Sequence, residues 1–527
     1  MKTTSPKLLL IISAQLFACA PILEGSNILF YHGIATSSHR TAIWPLASKL
    51  ADMGHNLTYI FPVIKKIGSH PQIEEIIPSK LVPLLAEYVS DFDINIRINN
   101  KTSEWTMSVF SRALEFCEAF YDSPEIQEWL HRPDLHYDLV FIDASLGDCG
   151  YGLVHKFKAK HILFYSSVLP YMFDAFGVVP ETSSIPEFYF HKKPSDMSFL
   201  NRVVTTLSPF IFRYNVIEFG KTLHKVLLKK MNLTELPTLM EFQRNTSLVF
   251  LNHHFIEEYP ISLPPMFISY SGLWCHKEMT VNPLPEKFEN FIRDSEGFVY
   301  VSFGTAVVAS GMPESLRAKF FKAFEAFPDI KFLWRWTGSI PENTPSNVML
   351  YPWFPQKDVL AHPKIKGFIT QAGRPSIQEA LCRGVKMISI PIMADQNYNA
   401  DRLEYIGASI NLNIDIITET NLRSAIDEVL HNPKFTDKLR ELSEMYKDRS
   451  VDPLENAVYW TNYVLKYDTS LLKPLGMTQT WYERRLLDVY GFLLLVSLLL
   501  VVLLTFLAVL VYRCTLRIVF QPKIKLE

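Results

Sequence analysis

Ile365 to Gln396 reads IKGFITQAGRPSIQEALCRGVKMISIPIMADQ, and its hydrophobic period changes three times. Ile365–Gln371 is a short apolar run of strand length. Pro375–Arg383 has helical spacing, with Pro375 fitting the first helical position. Met387–Pro391 is a second apolar run, and Asp395–Ile406 is helical again. Strand, helix, strand and helix in succession predict a right-handed parallel unit buried on both faces. The pattern extends upstream through strands at Phe298–Phe303, Lys331–Trp336 and Val348–Trp353, with a helix over Pro313–Phe327. Downstream it continues through a strand at Ala408–Leu412 and a helix at Glu419–Leu430.

A first block of the same kind precedes it. Asn27–His32 reads as a buried strand, Thr41–Met53 as a helix with Pro45 in its first turn, and Leu57–Val63 as the next strand. Tyr137–Ala144 and residues 160–166 add two more strands. Val178 to Met240 breaks the pattern. It is rich in Pro, aromatic and basic residues, is helical around Arg202–Met231, and reads equally as a membrane-facing or pocket-roofing excursion and as ordinary helical packing. Two α/β blocks joined near 275–295 predict two doubly wound domains, with ligands bound in a crevice beyond the carboxyl ends of both sheets. A helix over Pro453–Tyr467 is expected to strap the second block back to the first, ahead of a Pro/Gly-marked linker at Lys473–Thr480.

Composition excludes several classes. With a net charge of −2 and no basic block, nucleic acid is not an expected partner. Only 20 glycines and no G-x-G-x-x-G disfavour an ordinary dinucleotide enzyme. Lys2, Lys7 and the apolar run Leu8–Ala20 form a signal peptide. Val489–Tyr512 holds no charge over 24 residues, roughly 36 Å of helix and enough to cross a bilayer. Arg513, Arg517, Lys523 and Lys525 follow it, so the tail is expected in the cytosol and residues 26–485 in the lumen. Lys523 and Lys525, fifth and third from the end, look like a dilysine signal for return to the endoplasmic reticulum. Sequons at Asn56, Asn100, Asn232 and Asn245 would meet the glycosylation machinery there. Cys117, Cys149, Cys275 and Cys382 contain no C-x-x-C and imply no zinc site.

Chemistry is expected at the strand ends. His39 lies in the loop after the first strand, and Asp143 ends the strand Leu139–Ile142. A histidine backed by a carboxylate is a general base, its tautomer and imidazolium stabilised by the acid. Asp148 is the competing partner, and His32 reads as a strand residue. In the second block Trp353 could stack on a nucleobase. Gly373, Arg374 and Ser376 at a helix start could take a phosphate, Glu379 could accept ribose hydroxyls, and Asp395 and Gln396 suit sugar hydroxyls.

Trp353, Pro355, Gln356, His362, Pro363, Gly373, Glu379, Pro391, Asp395 and Gln396 together resemble the signature of the UDP-glycosyltransferases that include the UDP-glucuronosyltransferases. Val299–Thr305, Ser38-His39, Gly54-His55, Asp143, Cys149 and the anchor after Trp481-Tyr482 fit the same family. The resemblance implies a GT-B fold: two Rossmann-like domains facing a cleft, plus a transmembrane helix. It divides the chain into a signal (1–25), an acceptor domain (26–280), a UDP-sugar domain (281–452), strap and linker (453–486), span (487–512) and cytosolic tail (513–527). It implies that His39 deprotonates the acceptor hydroxyl, oriented by Asp143, and that the sugar transfers with inversion and without metal or other cofactor. Ser302 and Thr305 would lie near the phosphates, Trp353 on uracil, Gln356 and Glu379 on the ribose, and Asp395 and Gln396 on the sugar. A small lipophilic acceptor and association with itself or related enzymes are the implied partners besides UDP-sugar and membrane.

The chain departs from the family at Gln371, where a histidine usually contacts the diphosphate. Arg374 is expected to replace that contact with a charge-assisted one. The rival expectation is a decayed donor site on an anchored binding protein for lipophilic ligands. Asp91-Phe92-Asp93, which could mimic a metal-binding acidic pair, reads as a solvated loop.

Overall fold

The computed structural model describes residues 25–63, 69–90, 94–99, 102–145, 147–167, 170–179, 181–186, 193–275 and 281–520. The signal peptide, Asp91–Asp93, Asn100 and the tail with Lys523 and Lys525 lie outside them. Two all-parallel sheets form the core. The first contains β1 (Asn27–Tyr31), β2 (Asn56–Ile60), β3 (Ile73–Ile76), β4 (Leu139–Asp143), β5 (Lys160–Tyr165), β6 (Leu248–Leu251) and β7 (Phe267–Ser269), in the order β3-β2-β1-β4-β5-β6-β7. The second contains β8 (Gly297–Ser302), β9 (Ile330–Arg335), β10 (Val348–Tyr351), β11 (Ile365–Thr370), β12 (Met387–Ser389) and β13 (Ser409–Asn411), in the order β10-β9-β8-β11-β12-β13.

Burial explains why these runs are strands. β4 and β8 are buried at every position, as expected of parallel strands covered on both faces by helices. Register then stacks aromatic rings: Phe30 lies opposite both Phe141 and Tyr59, with ring centroids 4.4 and 5.4 Å away. In each sheet the strand order reverses once, between β1 and β4 and between β8 and β11. Those two switch points open the crevice where ligands bind in doubly wound sheets.

The first helix runs over Ser37–Asp52, so Pro45 sits in its third turn rather than its first. Proline has no N–H, which leaves the Thr41 carbonyl without its usual partner four residues on. The Trp274 indole N–H fills the gap, reaching in from the segment between the two sheets. Cys275, its neighbour, is disulfide-bonded to Cys382 near the end of helix Arg374–Arg383, and Cys117 pairs with Cys149.

Helix Pro453–Lys466, capped by the Asp452 carboxylate, crosses back to pack on helix Ser37–Asp52 and on β7. Lys160 Nζ donates to the carbonyls of Val464 and Tyr467 at its end, at 2.6 and 3.0 Å. The chain then enters helix Leu487–Val519, 33 residues long with a mean hydropathy of 3.2 over its most apolar window, exposed along its length. By length and composition it is the one helix among the described residues able to cross a membrane. Its start is fixed by a buried node: Asp174 binds Arg485 at 2.7 Å, Arg484 at 3.2 Å, and Arg213 of the 32-residue helix Phe199–Lys230.

Candidate active site

The first sheet delivers its chemistry at the switch point between β1 and β4. His39 Nδ1 lies 2.7 Å from Asp143 Oδ2, and His32 Nδ1 lies 3.0 Å from the same oxygen. Asp143 Oδ1 accepts from the Ser145 backbone N–H at 3.1 Å. A carboxylate only accepts, so both imidazoles present Nδ1–H to it. The Tyr59 hydroxyl donates to His32 Nε2 at 2.7 Å, while His39 keeps Nε2 for the cleft, its side chain 22% exposed. Ser166 Oγ, at the end of β5, lies 3.3 Å from His39 Nδ1 and 3.4 Å from Nε2.

Electrostatics separates the two histidines. Burial lowers His32, and Asp143 does not fully offset it, so that ring is held neutral. Burial also opposes charge on His39, but there the charge and hydrogen bond of Asp143 win and raise it above its ordinary value. Burial works against ionised Asp143 too, yet His39 and the two imidazole hydrogen bonds hold its carboxyl well below the usual range. Asp148 is not part of this group. Burial pushes its carboxyl up to about 7.

The second sheet brings two glycine loops together in a cradle at its own switch point. Gly304, just past β8, has φ +73°, and a Cβ there would overlap Gln371 Nε2 at 2.0 Å. A Cβ on Gly373 would approach the same nitrogen to 3.0 Å, so the Gln371 amide fills the gap between the two glycine loops. Ser302 Oγ accepts from the Gly304 N–H at 3.3 Å, with Thr305 half-buried beside it. Gly373 caps helix Arg374–Arg383, whose first amides face this loop. Gln356 Nε2 donates to Ser376 Oγ at 3.0 Å and to Glu379 Oε2 at 2.7 Å. Burial pushes the Glu379 carboxyl up to about 7. Trp353 is 42% exposed, its ring centroid 5.7 Å from the Arg335 guanidinium. A small cavity of about 20 Å³ beside Glu379 is lined by Trp274, Lys357 and Gln378, with Lys357 Nζ 3.1 Å from the Trp274 ring centroid.

The two halves meet at Asp395. Ser167 of the first domain donates to Asp395 Oδ2 at 2.7 Å, one residue from the serine that touches His39. Two residues sit differently from the sequence reading. Gln396 turns its Oε1 inward to accept the Ile392 and Met393 amides, at 2.9 and 3.0 Å, and thereby shapes the loop after β12. Arg374 does not face the cradle. Its guanidinium is 1% exposed, ion-paired with Glu258 and bonded to the Glu257 carbonyl and to Asn399 Oδ1. These bonds hold the buried guanidinium at the domain interface and turn it away from the cradle, with Nε also buried and without a partner among the described residues. His32, Ser166, Ser167 and Asn399 are the site residues the sequence did not single out. His32, Ser166 and Ser167 follow strand ends, which would have marked them once the strands were placed, whereas Asn399 lies inside helix Gln396–Tyr405.

Comparison with known proteins agrees with this geometry. Residues 71–522 match the family described as "UDP-glucoronosyl and UDP-glucosyl transferase". The chain is 32% identical to "UDP-glycosyltransferase UGT5" of Dactylopius coccus over 90% of both chains. It is 28% identical to "UDP-glucuronosyltransferase 1A8" of Rattus norvegicus, over 88% of this chain and 87% of that one. Among solved structures, the glycotransferase of kitacinnamycin superposes with a TM-score of 0.59 at 16% identity, covering 84% of this chain and 99% of its own. The fold is therefore GT-B, and the chain belongs to the UDP-glycosyltransferase family of enzymes that transfer a sugar from a UDP-sugar.

Proposed function

We propose that this enzyme transfers glucuronic acid or glucose from its UDP-sugar to a hydroxyl of a small lipophilic acceptor, with inversion and without a metal. The observation that carries the reading is the 2.7 Å contact between His39 Nδ1 and Asp143, which leaves Nε2 as the free base at the cleft. The acceptor O–H gives its proton to His39 Nε2 as its oxygen attacks the anomeric carbon. The anomeric C–O bond breaks on the opposite face and UDP departs with the electron pair. Positive charge accumulating on the imidazole is balanced by Asp143. Negative charge on the departing diphosphate is met by the backbone amides at Gly373–Ser376 and by the Gln371 amide. Arg374 does not replace the family's histidine there, and the charged side chain at this loop is Arg335, whose Nη1 donates to the Gly304 carbonyl. Trp353 stacks on uracil, Gln356 and Glu379 hold the ribose, and Asp395 holds the sugar.

The anchored orientation follows from the ends of the chain. The signal peptide, the helix Leu487–Val519 and the basic tail together support a single-pass protein of the endoplasmic reticulum with both sheets in the lumen. Helix Phe199–Lys230 presents Phe199, Leu200, Leu207, Ile211 and Tyr214 to the outside near that anchor, which supports contact with lipid and entry of apolar acceptors from it.

The test uses membranes from cells expressing the protein, supplied with UDP-glucose or UDP-glucuronic acid and a simple phenol. Consumption of one donor with stoichiometric glycoside and UDP is expected, and no consumption of either sinks the reading. The base must be neutral to accept a proton. Because His39 is raised above 6.5, kcat/KM is expected to fall on the acid side with its midpoint above pH 6.5. An acid limb at the ordinary carboxylate range would assign the base elsewhere.

A further inference from the structure

Arg374 occupies the first position of the helix that caps the phosphate cradle, yet its side chain runs back between the domains. Three side chains of the second domain grip one segment of the first, the connection from β6 to β7. Arg402 donates to the carbonyls of Ile256 and Phe255 at 3.1 and 2.7 Å. Gln378 Nε2 donates to Asn252 Oδ1 and Glu257 Oε1 at 2.5 and 2.8 Å. Arg374 binds the Glu257 carbonyl at 3.0 Å and the buried Glu258 carboxylate.

Arg374 has a second effect that the other two lack. Its terminal nitrogen also donates to Asn399 Oδ1 at 2.6 Å. Guanidinium is a donor only, so the Asn399 amide must turn its oxygen toward Arg374. Both amide hydrogens are thereby aimed the other way. They reach the Ala372 carbonyl at 2.9 Å and Asp395 Oδ2 at 2.8 Å. Asn399 is fully buried, with each of these polar functions matched. One carboxylate oxygen of Asp395 is thus held by both Asn399 and Ser167, which fixes the rotation of the group.

We infer that Arg374 is a positioning residue for the sugar half of the donor: through Asn399 it orients Asp395, and through Glu258 it fixes the domain spacing at which Asp395 meets the first domain. The inference rests on the proposed role of Asp395 as the sugar's acceptor. Binding energy lost at Arg374 should therefore appear with a UDP-sugar and not with UDP, which has no sugar for Asp395 to hold. A direct diphosphate contact would weaken both equally.

The experiment compares full-length wild type with Arg374→Gln, Arg374→Lys and Asn399→Ala in detergent. Calorimetry gives the Kd of UDP, and the KM is taken for UDP-glucose and UDP-glucuronic acid. The expected result is a KM about 10-fold higher in Arg374→Gln and Asn399→Ala, the loss of one charge-assisted hydrogen bond, with the UDP Kd unchanged. Arg374→Lys keeps the charge but not the fork and should recover only part of the loss. Equal weakening for UDP and UDP-sugar overturns the inference, as does a lowered Tm with both constants unchanged. Asn399→Ala leaves the Arg374–Glu258 pair in place, so it decides the question even if Arg374→Gln does not fold. A wild type that binds UDP but turns over neither donor would instead refute the proposed activity.

Discussion

His39→Ala is expected to lower kcat by about 10²–10⁴-fold, the range for loss of a general base, while UDP affinity stays at the wild-type value. The separation follows from geometry, because His39 belongs to the first sheet and the proposed nucleotide cradle to the second. Asp143→Asn should approach the same loss by a different route. Asp143 Oδ2 accepts from both His32 and His39, at 3.0 and 2.7 Å. An asparagine must present either its N–H or its single oxygen to that pair. Facing an amide N–H, His39 would adopt the opposite tautomer and carry a proton on Nε2, where the acceptor's proton has to go. Steady-state kinetics on both variants and the double variant checks this. Residues acting as one unit are non-additive, so the double variant should be no worse than the poorer single one. Multiplying losses would mean that the two side chains act independently.

Asp174→Ala is expected to be strongly destabilising, at about 3–5 kcal/mol. The carboxylate is 5% exposed and is the shared partner of Arg213, Arg484 and Arg485. Removing it leaves three guanidinium groups crowded at one poorly solvated point, two of them immediately before the membrane helix. Replacing one arginine instead leaves the carboxylate with two partners and should cost less. Thermal unfolding in detergent, with limited proteolysis of the 473–486 linker, reads both effects. Wild-type stability and an unchanged cleavage pattern in Asp174→Ala would show that the node does not fix the anchor.

The strands named from the sequence were legible because each is a largely buried apolar run; β3, β6 and β7 were not, β3 because it reads Ile-Glu-Glu-Ile and buries only its two isoleucines, β6 and β7 because they span only Leu248–Leu251 and Phe267–Ser269. The residues past those strands were legible for the same reason, since a doubly wound sheet presents its ligands at the carboxyl edge. What sequence could not supply was direction. Arg374 and Gln396 stand where ligand contacts were expected, yet one guanidinium turns into the domain interface and one amide into its own loop. The first choice depends on Glu258, more than a hundred residues away, and the second on the local fold of the loop that presents the Ile392 and Met393 amides. His32 was read as strand for a related reason: only the pairing of β1 with β4 sets it beside Asp143. The early start of helix Ser37–Asp52 was hidden by Pro45, because the indole that relieves its unpaired carbonyl lies more than two hundred residues away.

The central claim is a single displacement at the anomeric carbon by an oxygen that His39 deprotonates, and product stereochemistry tests it most directly. An α-linked UDP-sugar should give a β-glycoside, seen by proton NMR as a large coupling at the anomeric hydrogen. Retention of the α configuration would require a covalent or same-face route in which His39 and Asp143 have no place as assigned.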